Sequence, residues 1–320
     1  MVQPPSRAGK LSDQPAGDAV LPFQTADPGV RGRLVRLGPA IDTILKRHAY
    51  PEKVSEIVAQ AVALTAMLGA SLRPGGKLSL QARTDGPVSF IFTDLEADGL
   101  VRATASFDAE RLEAVSKPGD GQLPGALLGS GHLALTIEPG DGMDRTQGIV
   151  AFDGGSLTQA AAAYFRQSEQ LPTYIRLAVA KHCVAGNPAD GPEWHWRSGG
   201  LIVQHLTQPL DGENSSIAPG AGEDWNRIRL LAASVEDHEM LDPCLSSDQL
   251  LHRLFHEESV RVFSPRPLAV HCRCSRERVE AFLKSFGAEQ LAGMNGADGK
   301  IAVKCEFCST SYSFDPGTLE

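Results

Sequence analysis

The chain has 320 residues, 42% of them hydrophobic and 22% charged, with a net charge of −9 and a pI near 5.5. This is the composition of an ordinary soluble globular protein, long enough for one large domain plus a small one, and it lacks the basic stripe of a dedicated nucleic-acid binder. The most apolar stretch, Ile57 to Leu72, is interrupted by Gln60 and Thr65, so it reads as a buried helix rather than the ~18 apolar residues of a membrane span.

Residues 1–22 are rich in Pro, Gly, Ser and Asp, lack the apolar core of a secretory signal, and read as a disordered tail. Six cysteines without such a leader predict a reducing, cytoplasmic location. Residues 23–208 read as one domain. Val30 to Leu37 predicts a first strand, and a helix follows from about Pro39 with Ile41, Ile44 and Leu45 on one face. Pro51 suits the first position of a second helix carrying Val54, Ile57, Val58, Ala61 and Val62 at helical spacing.

Leu78 to Phe107 alternates and breaks at Asp85-Gly86-Pro87 and Asp98-Gly99, the pattern of a three-stranded meander. His132 to Ile137 and Gly148 to Phe152 predict two further strands. Ser156 and Gln159 have capping-box spacing, opening a helix with Leu157, Ala160, Ala161, Tyr164 and Phe165 inward. Tyr174 to Ala180 and Leu201 to Leu206 are expected to close the sheet, with a loop-like insert at Val184 to Glu193 between them. Strands and helices do not alternate strictly, so the class is α+β. Arg31, Arg33 and Arg36 form a small basic cluster, expected on a solvated strand face paired with acids. No P-loop, GxSxG or HExxH pattern occurs, and nothing marks a catalytic nucleophile, so no enzyme is expected.

Residues 209–262 change character. Pro209 to Gly222 is polar and Gly/Ser-rich, followed by two modest helices near Trp225 to Val235 and Asp248 to Glu257. From Glu223 to Glu258 there are nine acidic and three basic residues, so this segment carries −6 of the net −9. Its apolar anchors (Trp225, Ile228, Leu231, Leu250, Leu254, Phe255) predict a metastable helical linker that folds against a neighbour and has little core of its own.

Residues 263–320 contain the strongest signal. Cys272-Arg-Cys274 and Cys305-Glu-Phe-Cys308 are two tight pairs with thirty residues between them. Each pair supplies two thiolates from one turn, the insert brings the turns together, and four thiolates suit one Zn²⁺ per chain. Ser275 is placed to cap a helix with Val279, Phe282, Leu283 and Phe286 inward, stopped by Gly287. Ile301 to Lys304 and Ser311 to Phe314 predict strands on either side of the second pair. So small a unit needs a staple, and its metal-binding free energy is then folding free energy. The site is either a permanent structural ribbon or a redox switch.

Three weaker candidates stand beside it. His252 and His256 sit four apart on a helix and read as exposed or satisfied side chains. His271 borders the first pair and reads as an outer neighbour of the site. Cys183 and Cys244 are isolated and read as inert or partly buried thiols.

The CxC–x₃₀–CxxC quartet with Ser275-Arg-Glu-Arg278 resembles the redox-regulated 33 kDa heat-shock chaperones, the HslO family. So do VRGRLVRL at Val30 to Leu37, DGP at Asp85 to Pro87, YFRQSEQLPT at Tyr164 to Thr173 and LFHEE at Leu254 to Glu258. The resemblance spans about residues 22–315. It implies an α+β chaperone domain, a metastable linker and a C-terminal zinc domain bound through Cys272, Cys274, Cys305 and Cys308. It further implies a cytoplasmic, ATP-independent holdase, inactive when reduced and zinc-bound. Oxidation would release zinc, form Cys272–Cys274 and Cys305–Cys308 disulfides, unfold linker and zinc domain, and expose a surface for unfolding client proteins, with dimerisation on activation. The N-terminal tail, the 184–193 insert and the two extra cysteines depart from the family pattern.

Two rivals remain. One is a binding protein with a static zinc ribbon, against whose nucleic-acid form the acidic balance argues. The other is a CxxC oxidoreductase, where the pair would open a helix after a strand, whereas Cys305 and Cys308 lie between two predicted strands. No nucleic-acid or membrane partner is expected.

Overall fold

The first strand among the described residues, β1 (Ala19–Gln24), begins inside the expected tail and runs past its end at residue 22. Val20, Leu21 and Phe23 are buried there, and this apolar content outweighs Pro22, which falls in the gap between the two short pairings, at Ala19–Val20 and Phe23–Gln24, on the outer side of the strand, where a missing N–H is tolerated. The computed structural model describes residues 17–25, 29–115, 125–140, 142–184, 191–206, 221–296 and 298–319. Residues 1–16 of the tail, 185–190 of the insert and most of the 209–222 stretch lie outside them; Val184 and Glu193, the ends of the insert, pair across a hairpin.

β2 (Val30–Leu37) leads into α1 (Pro39–His48), whose first N–H groups are taken by the Asp18 carboxylate at 2.7 Å (Gly38) and 2.9 Å (Ala40). Pro51 caps α2 (Glu52–Gly69), one position earlier than its expected first-turn place. The meander follows as β3 (Lys77–Thr84), β4 (Val88–Glu96) and β5 (Leu100–Phe107). Next come the short α3 (Ala109–Val115) and α4 (Gly125–Leu128), then β6 (Ser130–Glu138) and β7 (Thr146–Asp153). The Ser156/Gln159 capping box opens α5 (Leu157–Tyr164) as its spacing predicts. A π-turn over Phe165–Glu169 leads to β8 (Thr173–Val184) and β9 (Glu193–His205).

These strands build two sheets rather than one. β1, β2, β9 and β8 are neighbours in the first, and β5, β4, β3, β6 and β7 in the second. α2 explains the split. It is apolar on nearly every face, packs against strands of both sheets, and so acts as the filling between them. The fully buried Thr65 hydroxyl is satisfied by Ala61 O at 2.8 Å and by Thr93 of β4.

The linker is better packed than its composition predicts. It forms α6 (Ala221–Ala233), α7 (Asp237–Leu241) and α8 (Ser247–Phe255). These helices and the turns between them supply ten of the seventeen residues of a second core, among them Ile228, Met240, Leu250 and Phe255, against Leu21, Phe23, Val30, Leu34, Ala178, Leu201 and Val203 of the first sheet. Gly32 leaves the space that the Phe23 ring fills across the strand pair, and Phe255 packs on that ring at 5.5 Å. The linker therefore lacks a core only when it is away from the sheet.

Arg36 is not on a solvated face. It is 2% exposed and donates to the carbonyls of Met240 (2.9 Å), Glu239 (2.6 Å) and Leu245. Arg33 donates to Ser71 Oγ at 2.8 Å, while Arg31 stays exposed.

After the linker the chain makes three two-residue strands. β10 (Arg261–Val262) and β11 (Arg266–Pro267) pair with β1, and β12 (Ala269–Val270) adds to β5 in parallel. The segment spanning the expected 262/263 boundary is thus an edge of both sheets. The module beyond holds α9 (Arg276–Leu283), α10 (Ala288–Gly293), β13 (Ile301–Lys304) and β14 (Ser311–Phe314). Ser275 caps α9 as expected, accepting from Arg278 N at 3.2 Å. Phe282 does not face inward: it is 62% exposed, and Leu283, Leu291, Ile301, Phe314 and Leu319 make the small core. The architecture is α+β, with a sheet-and-helix N-terminal part, a helical linker and a small C-terminal domain. No helix among the described residues is long and apolar enough to cross a membrane.

Candidate metal centre

Cys272 and Cys274 follow directly on β12, and Cys305 and Cys308 form the turn between β13 and β14. The β13–β14 pairing closes that turn, with Cys305 N donating to Thr310 O and Ser309 N to Cys305 O, both at 2.9 Å. Backbone bonds thus aim two sulfurs at the other two. Cys272 Sγ lies 3.6 Å from Cys305 Sγ, and Cys274 Sγ 3.3 Å from Cys308 Sγ. All four ligand atoms fall within 4.8 Å of one another, the one such group of possible metal ligands among the described residues.

Four thiols this close titrate unequally. Burial, reinforced by the neighbouring thiols, pushes Cys272 up to about 12, and burial also raises Cys305. Burial opposes ionisation of Cys308 too, but hydrogen bonds with Thr310, Cys274 and Cys305 outweigh it and bring the thiol down to about 6. One thiolate forms readily and the last resists, so a complete thiolate set calls for a cation in its midst. Tyr312 donates its hydroxyl to Cys274 Sγ at 3.2 Å.

Several residues of the N-terminal domain, unmarked in the sequence, border this site. Asp94 of β4 is 1% exposed and meets Arg102 (2.9 Å), Lys77 (3.2 Å) and Arg273 (3.4 Å), the residue between Cys272 and Cys274. Arg273 also pairs with Glu96. Burial works against the Arg102 charge, but Asp94, joined by Cys272, outweighs it and raises the guanidinium pKa. Arg102 stacks on Phe307, the tip of the second cysteine turn, at 3.9 Å. Phe92 meets the same ring edge-on at 5.8 Å, and His48 Nε2 lies 3.1 Å from Phe307 O. An aromatic residue inside a CxxC turn was the available sequence signal, because so short a turn has no core of its own to bury it.

Replacing Phe307 with alanine is expected to leave the metal content unchanged and weaken docking of the module by about 1–2 kcal/mol. Hydrogen exchange over residues 304–309 reads this, and unchanged exchange would mean the ring contributes nothing.

The other candidates stay apart. His252 and His256 are exposed, their rings stacked at 5.9 Å. His271 is exposed and outside the sulfur group. Cys183 and Cys244 are free and exposed rather than partly buried.

The Hsp33 protein family model matches residues 18–315. A 33 kDa chaperonin of Caulobacter vibrioides (strain NA1000 / CB15N) is 42% identical over 303 residues, 93% of this chain and 95% of that one. One of Ectopseudomonas mendocina (strain ymp) is 37% identical over 300 residues, 93% and 92% of the two chains. The crystal structure of the 33 kDa chaperonin from Thermotoga maritima matches with a TM-score of 0.71 over 94% of this chain and 96% of that one, and at 20% identity it speaks for the fold. The family match and these relatives run along nearly the whole length of both partners, and the chain belongs to the Hsp33 family.

Proposed function

We propose that the protein is a redox-regulated, ATP-independent holdase that binds unfolding proteins under oxidative stress. The observation that carries this reading is a four-sulfur centre tied through the edge segment Arg261–His271 to a helical lid over an apolar sheet. Relatives named 33 kDa chaperonin support the chaperone class. The ligands would be Cys272, Cys274, Cys305 and Cys308, holding one Zn²⁺ per chain. A tetrahedral zinc with Zn–S bonds of about 2.3 Å has sulfur–sulfur edges of roughly 3.8 Å. The separations of 3.6 and 3.3 Å suit that shape. Bound zinc would keep the sulfurs ionised and the module folded.

On oxidation each cysteine pair gives two electrons to peroxide. Two thiolates, one peroxide and two protons yield one S–S bond and two waters. The pairs that close are Cys272–Cys274 and Cys305–Cys308. The four sulfurs then cease to be ligands, the module loses its staple, and the linker helices lose their anchor. Client surface would be the face of the first sheet under α6–α8, together with the released helices. The protein would work as a non-enzyme in the cytoplasm, dimerise when activated, and need neither nucleic acid nor membrane. Domain limits would be those expected from the sequence, 23–208, 209–262 and 263–320, with the first extended back to take in β1 from Ala19.

Light scattering from a thermally unfolding client tests this. Protein treated with peroxide and mild heat is expected to suppress aggregation, reduced protein to fail, and reductant to reverse the change. Equal activity in both states would leave the static zinc ribbon as the better reading.

A further inference from the structure

The edge segment Arg261–His271 is held in an unusual way. It gives backbone bonds to both sheets: Phe263 N to Pro22 O (2.9 Å), Leu268 N to Asp18 O (2.8 Å), Ala269 N to Gly99 O (3.0 Å) and His271 N to Val101 O (3.2 Å). From Arg261 to Ala269 its side chains are exposed with one exception. Leu268, 7% exposed, enters the main core between the sheets. Gly99, at φ +88°, provides the seat, because a Cβ there would overlap the Pro267 carbonyl oxygen. Main-chain bonds plus one apolar anchor are how a sheet edge binds an extended chain with little regard to its sequence. A receptor for many unfolded chains needs that tolerance.

The segment also ends at the metal centre, since Cys272 follows His271. We propose that Arg261–His271 is a built-in stand-in for a client. When it leaves, the edges of β1 and β5 take an extended, unfolded polypeptide segment as an added strand, with a branched apolar side chain in the seat of Leu268. This rests on the holdase reading and names the mode and place of capture. Covering both edges in the reduced state also keeps two open strands from pairing with the wrong partner.

The test uses the full-length protein and a fluorescent peptide with the sequence of residues 261–271. The peptide is expected to bind the oxidised, zinc-free protein at least tenfold more tightly than the reduced, zinc-loaded one, and to displace a denatured client. A Leu268→Gly peptide should bind about tenfold or more weakly, having lost its anchor. A peptide N-methylated at the Ala269 nitrogen should lose at least as much, because the donor to Gly99 O is gone. No binding, equal binding to both redox states, an N-methylated peptide as good as the parent, or failure to displace client would each overturn the proposal. Aggregation suppression measured on the same samples separates the two readings. An oxidised protein that suppresses aggregation but ignores the peptide keeps the holdase and loses the strand site. One that binds the peptide by all its criteria but suppresses nothing keeps a redox-gated peptide site and loses the holdase.

Discussion

A Cys305→Ser variant is expected to lose most of its zinc and, with it, the fold of the C-terminal module. Cys305 supplies one of four sulfurs gathered within 4.8 Å, and a serine hydroxyl is a far poorer ligand for a metal that favours thiolates. The module cannot absorb the loss. Its buried core is Leu283, Leu291, Ile301, Phe314 and Leu319, and structural zinc contributes on the order of 10 kcal/mol to such a unit. Elemental analysis should show the metal gone, and hydrogen exchange should be fast from about residue 271 to 319 while β3–β5 stay protected. A Cys183→Ser variant should keep its zinc, since Cys183 is exposed and outside the sulfur group. Full zinc content in Cys305→Ser would sink the ligand assignment. Uniform loss of protection would mean global unfolding rather than a local switch.

Arg36→Ala is expected to open the linker with the metal centre intact. The Arg36 guanidinium is buried against Glu239, Met240 and Leu245 carbonyls. Burial, followed by repulsion from Arg197, lowers its pKa to about 10. It remains charged at neutral pH, and its three hydrogen bonds all go to the linker. Truncation leaves a cavity and strands three carbonyls, at a cost on the order of 3 kcal/mol or more. Arg197 still holds Leu241 O at 2.7 Å, so part of the attachment survives. Limited proteolysis of the reduced variant should cut within residues 221–258 much faster than in the parent, with zinc content unchanged. Parent-like resistance would show that the apolar core under α6–α8 suffices without Arg36.

The same residues show how far the sequence could be read. The cysteine quartet, the Ser156/Gln159 box, the Ser275 cap and the 78–107 meander were legible because each depends on neighbours in sequence. The division into two sheets was not, because it depends on which distant strands pair across α2. β10–β12 were invisible for a plainer reason: two-residue strands have no period, and Pro265 and Pro267 argue against strand at all. Arg36 misled because an arginine on an alternating strand reads as solvent-facing, while its carbonyl partners lie more than 200 residues away. Phe282 misled in the opposite sense, having helical spacing without a core large enough to bury it.

The edge segment also has a consequence for synthesis. Strands β1 to β5 leave the ribosome long before residues 261–270, which complete their edges. At about 5–20 residues per second, the interval from residue 107 to 270 lasts roughly 8 to 30 s. Throughout it, every newly made chain passes through an uncapped form with both edges open, in the absence of any oxidant. Nascent chains stalled before residue 261 are therefore expected to bind the 261–271 peptide in reducing buffer, and chains stalled well past Glu320 with zinc present to refuse it.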